Sequence, residues 1–235
     1  MRLLEIYRRI LPSFFREPIS RAINWPEGGV VSYSPFGEDL TVRGWLDELG
    51  IERTSIRYMD IGGSHPSILS NTFLFYRMGG SGVVVEPTPY EADLQAQARP
   101  RDTLLRAGVA FDDQREATLH LYLPSVYNSF TDRAPPDANA RLVGKINVPL
   151  ITVNEIAAEF FGSSTCHFLS IDAEGVDSMI VKSIDFSRFK PWFICLETRD
   201  ENALSWLRGA GYSQRVEGPH NAIFALDTVI GRLPR

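Results

Sequence analysis

Three groups of residues have the types and spacing to do chemistry. In "YMDIGGSHP", Tyr58 to Pro66, an acidic residue, two glycines, a serine and a histidine follow a β-rich run: Asp60, Gly62, Gly63, Ser64 and His65. Paired glycines there let the backbone bend and approach a ligand that side chains would block. Glu86, followed by Pro87, closes the next β-rich run, "GVVVE". A carboxylate at that place can accept hydrogen bonds from both hydroxyls of a ribose, which points to a nucleoside-type cofactor. The third group is Asp172 and Glu174 in "IDAEG" with Glu197 at the end of "WFICLE". Three carboxylates converging from adjacent strand ends could hold Mg²⁺. Taken singly, Asp172, Glu174 or His65 could serve as a general base. Glu174 and His65 also suit capping of a helix start.

A dinucleotide needs G-x-G-x-x-G so that its pyrophosphate can rest on a helix N-terminus, and the turn at Gly62 lacks that spacing. No tyrosine is followed four residues later by lysine, so the proton-relay pair of short-chain dehydrogenases is missing. An acidic residue closing the first strand suits a cationic amino-acid ligand. S-adenosylmethionine, with its ammonium and sulfonium, carries that charge.

Positioning these groups requires elements that alternate. From Arg57 onward, β-rich runs alternate with helical patterns, the signature of parallel strands joined by crossover helices. "RYMDI" and "GVVVE" read as strands, with helices predicted over Ser67 to Met78 and Tyr90 to Ala98. "LLRAGVAF" and "ATLHLYL" read as two more strands. Pro124 to Pro149 is rich in proline and asparagine without a sustained period, which predicts an irregular loop or lid. Thr152 and Glu155 form a capping-box pattern before a helix that Gly162 ends. The strand "CHFLSID", a helix over Gly175 to Ser183, the strand "WFICLE" and a helix over Glu201 to Ala210 follow. The strands "YSQRVE" and "NAIFALD" then form a hairpin. Upstream, "GEDLTVRGWLDELG" reads as an amphipathic helix ended by Gly50.

A chain of 235 residues supports one full hydrophobic core. We divide it into an N-terminal helical arm, 1–32, and one domain, 33–235. The arm, "MRLLEIYRRILPSFFREPISR", spaces apolar residues helically between arginines. Such a pattern either lies on an anionic membrane surface through residues 2–21 or packs on the domain or a partner. It is neither a secretory signal nor a membrane span. A net charge of -5 removes the attraction behind non-specific nucleic-acid binding. Cys166 and Cys195 sit in apolar runs outside any CxxC, which fits a reducing, cytoplasmic location.

The ordered segments "YSPFGED", "DIGGSHP" with "SNTFLFY", "VVVEPTP", "LSIDAEGVDSMIVKSIDF" and "PWFICLE" resemble the FkbM-type methyltransferase family, from about Tyr33 to Asp227. The resemblance implies the class I methyltransferase fold: a Rossmann-like, doubly wound α/β sheet of seven main strands, the last antiparallel. It implies S-adenosylmethionine as cofactor and methylation of hydroxyls on sugars, surface glycans or polyketide-like natural products. It also implies that Asn71 and Thr72, matching the family's "SNT", line the cofactor or substrate cleft. Ser64 and His65 stand where other methyltransferases often carry glycine. Methyltransferases of nucleic acid or protein, and a non-catalytic nucleotide-binding module, are the alternatives. The acidic balance and "IDAEG" in place of an Asn-Pro-Pro-Tyr-like motif stand against nucleic acid.

Overall fold

The computed structural model describes residues 31–131, 137–173, 175–197 and 200–232. The N-terminal arm and Glu174 therefore lie outside the described residues, apart from 31 and 32. Strands β1 (Arg57–Ile61), β2 (Ser81–Val85) and β3 (Thr103–Leu105) pair in parallel, followed in the chain by a small second sheet. Strands β7 (Phe168–Ile171), β8 (Phe193–Leu196), β9 (Tyr212–Glu217) and β10 (Ala222–Leu226) complete a seven-stranded main sheet in the order β3-β2-β1-β7-β8-β10-β9. Only β10 runs antiparallel, against β8 and β9. The doubly wound sheet with its last strand reversed is thus present.

Continuous apolar runs explain the centre of this sheet. Val83 to Val85, Phe168, Leu169, Ile171 and Phe193 to Leu196 are buried, as strands covered on both faces require. Helices α1 (Glu38–Glu48), α2 (Phe73–Arg77), α3 (Pro89–Ala98), α4 (Val153–Phe160), α5 (Asp177–Ser183), α6 (Glu201–Gly209) and α7 (Asp227–Ile230) flank the strands. All but α2, which is shorter, and α7, which no sequence pattern announced, follow the predicted places closely. The Thr152–Glu155 capping box forms in full.

Three expectations are corrected. The helix predicted over Ser67 to Met78 is only Phe73–Arg77. The stretch before it turns irregularly, with Ser64 at φ 41° and Leu69 at φ 60°. Side chains divert it: the Ser70 hydroxyl accepts from the Phe73 amide at 3.2 Å, an alternative to helix that serine, asparagine and threonine readily offer. "LLRAGVAF" breaks at Arg106 into β3 and β4 (Gly108–Ala110), which belong to different sheets. The predicted irregular region contains most of β6 (Arg141–Thr152), which pairs antiparallel with β5 (Glu116–Leu123) and parallel with β4. Pro149 does not break it, because β4 pairing starts only at Leu150, so the missing N–H is not needed there.

Candidate active site

The chain leaves β1 toward β2 and β3, then returns to the other side of β1 with β7 and β8. The reversal lies between β1 and β7, and in such sheets the ligand crevice opens beyond the carboxyl ends of the strands there. A cavity of about 620 Å³ occupies that place, lined by Ile61 to His65, Glu86 to Thr88 and Asp172. Its volume lies within the ordinary range for small-molecule sites. The small sheet adds Val109 and Leu119 to the lining, and the segment after β5 adds Val126 and Phe130. Asn128 ties this segment down, accepting from the Tyr122 amide at 2.7 Å and donating to Thr88 Oγ1 at 3.2 Å.

Asp60 is buried on β1 and anchored from behind the cleft. One oxygen accepts from the Thr72 hydroxyl and lies 3.7 Å from Arg99 Nη1. Arg99, 1% exposed in its side chain, also pairs with Asp102 at 2.7 Å and donates to Thr72 Oγ1 at 2.9 Å. Asp102 in turn accepts from the Tyr58 hydroxyl at 2.8 Å and the Gly82 amide at 2.9 Å. Burial raises the Asp60 pKa, against the opposing pull of Arg99. Sequence reading missed Arg99, because no motif marks an arginine that reaches its partners only through the fold.

The bend expected of the turn's glycines is present, and close neighbours within the protein add a second requirement. Gly62 has φ 79°, and a Cβ there would collide with the Asp172 backbone carbonyl. At Gly63 a Cβ would strike the Val84 side chain. The obstruction is therefore with the protein itself, toward the end of β7 at Gly62 and toward β2 at Gly63. The Gly62 and Gly63 amides both donate to the Val85 carbonyl, at 3.0 and 3.2 Å. Glu86, 4% exposed, ends β2 and accepts from the Ser64 amide at 2.7 Å and the Thr88 amide at 2.6 Å. Burial pushes its pKa up to about 7. Pro87 lines the cavity beside it. Asn71 lines the cavity too, its amide donating to Ser170 Oγ at 3.0 Å. Thr72, expected beside it, is instead fully buried between Asp60 and Arg99 and does not line the cavity.

His65 lines the cavity with Nδ1 turned inward, accepting from the Ser67 and Ile68 amides at 3.2 and 3.1 Å. Burial lowers its pKa, so the neutral ring serves as the capping group of this turn. At the end of β8, burial raises the Glu197 pKa, with His220 and Asp172 pulling it down. His220 Nδ1 stands 3.8 Å from Glu197, and its ring stacks on Phe36 at 5.5 Å. Among the described residues no group of three or more His, Cys, Asp or Glu is placed to hold a metal. Asp172 and Glu197 do meet, whereas Glu174 lies outside the described residues.

The sequence of this chain matches the Methyltransferase FkbM domain over residues 60–213, from the acidic residue of β1 to the start of β9. The chain belongs to the FkbM methyltransferase family. No curated protein matches it. Solved structures similar to this FkbM methyltransferase include FkbM from Methylobacillus flagellatus, at 13% identity and TM-score 0.45, covering 94% of this chain and 50% of that one. A TehB-like methyltransferase from Corynebacterium glutamicum aligns at 10% identity and TM-score 0.41, covering 95% and 97%. An O-methyltransferase from Bacillus cereus, solved with SAH, aligns at 16% and 0.39, covering 94% of each. The cleft of this methyltransferase is lined by the buried carboxyl groups of Asp60, Glu86 and Glu91 and by aliphatic side chains. Among the described residues no helix is long and apolar enough to cross a membrane.

Proposed function

We propose that this FkbM methyltransferase transfers a methyl group from S-adenosylmethionine to a hydroxyl of a sugar, surface glycan or glycosylated natural product. The observation that carries the reading is Glu86, a buried carboxyl at the end of β2 that lines the cavity beside the glycine turn. Glu86 would bind the ribose, with Asp60, Gly62, Gly63, Ser64, Asn71 and Pro87 around the remaining cofactor atoms. S-adenosylmethionine supplies an electrophilic methyl on a sulfonium.

A sugar hydroxyl is a weak nucleophile and must lose its proton as the new C–O bond forms. Asp172, half-buried at the end of β7, is the residue to receive it. It lines the cavity beside the glycine turn, where a carboxylate can accept the hydroxyl proton. Glu174, His65 and a Mg²⁺ held by Asp172, Glu174 and Glu197 are the competing assignments. The wall formed by Asn128, Phe130 and Val126 limits water at the reacting atoms. Residues 33–235 serve as the one catalytic domain, in a cytoplasmic enzyme, with residues 2–21 as a docking arm for membrane or partner.

Asp172→Asn tests the assignment. It should retain S-adenosylhomocysteine binding and lose turnover by about a hundredfold or more, the scale of a missing general base. Turnover is read as methyl transfer to a library of sugars and glycosides. Activity lost to EDTA and restored by Mg²⁺ would replace the general base with a metal. Near wild-type turnover in Asp172→Asn would move the role to His65.

A further inference from the structure

Thr88, Pro89, Tyr90 and Glu91 spell the same T-x-x-E pattern as Thr152 to Glu155. At the second site the pattern closes as a capping box, Glu155 accepting from the Thr152 amide at 2.9 Å. At the first it does not. Glu86 Oε1 takes the Thr88 amide, Asn128 donates to the Thr88 hydroxyl, and no side-chain cap forms at the start of α3. Glu91 is thereby released from its usual partner. It is 7% exposed, lines the cavity, and its Oε2 is closed off from solvent with no hydrogen-bond donor. One helical turn further on, the Gln95 amide donates to the Gly63 and Ser64 carbonyls at 2.8 and 3.0 Å. The Glu91 face of α3 thus looks onto the glycine turn.

Buried carboxylates without donors are rare, because each loses its hydration and gains nothing in return. We infer that Glu91 is a second ligand-binding carboxylate, released from capping so that it and Glu86 each accept one hydroxyl of the cofactor's vicinal diol. The inference rests on the nucleoside reading of the cleft. The charge of Glu91 is also among the causes that raise the Glu86 pKa, which agrees with two carboxyl groups facing one ligand. A diol donating to both relieves the repulsion and fills both acceptors.

Calorimetry with S-adenosylhomocysteine, adenosine, 2′-deoxyadenosine and 3′-deoxyadenosine on the whole chain tests this, using wild type, Glu86→Gln and Glu91→Gln. Glu91→Gln should weaken S-adenosylhomocysteine binding by about tenfold or more, the scale of a hydrogen bond to a charged group. It should also abolish discrimination against one deoxyadenosine while keeping it against the other, and Glu86→Gln should do the converse. Tm should rise in Glu91→Gln, since an unsatisfied buried charge is removed; a capping or packing role would lower it. Glutamine keeps the shape of the side chain, so loss of fold is tested separately by circular dichroism, with Glu91→Met as the second variant. Unchanged affinity in folded Glu91→Gln or Glu91→Met, or both hydroxyl preferences mapping to Glu86 alone, overturns the inference. Wild type that binds none of the four ligands overturns the cofactor reading instead.

Discussion

Glu86→Gln separates a buried acid from an ordinary surface one. The carboxyl is 4% exposed, and burial moves its pKa from the ordinary 4.5 to about 7 in the native chain. The Ser64 and Thr88 amides pull it down, without matching the desolvation. Between those two pH values the native state therefore holds a proton that the unfolded chain has released. Linkage fixes the sign: where the native state binds more protons, stability falls as pH rises. The contribution is fully present below pH 4.5 and is lost as pH passes through 7. At about 1.4 kcal/mol for each pH unit separating the two values, the whole effect is about 3 kcal/mol. Urea unfolding of wild type and Glu86→Gln at pH 5 and pH 8 measures it. Wild type should lose on the order of 2–3 kcal/mol more than the variant across that interval. The two proteins falling in parallel, to within about 0.5 kcal/mol, would show that Glu86 titrates as an ordinary carboxyl and refute the reasoning from burial.

Arg99→Ala should destabilise the chain by about 3–5 kcal/mol, because it strands Asp60 and Asp102 as buried charges. Arg99→Lys should recover only part of that loss in urea unfolding, since an ammonium cannot reproduce the guanidinium's several directed bonds. Full recovery would mean that charge alone matters there. Gly62→Ala should exceed the roughly 1–2 kcal/mol that left-handed backbone alone demands, owing to the collision with the Asp172 carbonyl. Gly50→Ala, at φ 70° with open space around it, is the control; equal losses at the two sites would dismiss the collision.

Several strands, most helices and the turn at which the cleft opens were legible in the sequence because each rests on local signals. Val83 to Val85 declare a strand covered on both faces, Thr152 and Glu155 declare a helix start, and the glycine turn ends β1 where a crevice must open. Asp60, Glu86 and Asp172 could be named for the same reason: each stands at or next to a strand's carboxyl end. What those residues touch is a matter of tertiary contact. Arg99 is 39 positions from Asp60 in the chain, and no period or spacing records that their side chains meet. Gly62 looked like room for a ligand, whereas the backbone of Asp172 is what fills that space. Thr88 to Glu91 and Thr152 to Glu155 share one local pattern, yet only the second closes as a cap. Glu86 and Asn128 reach Thr88 first. A short pattern states which hydrogen bonds a segment can make, and the packed neighbours decide which of them it does make.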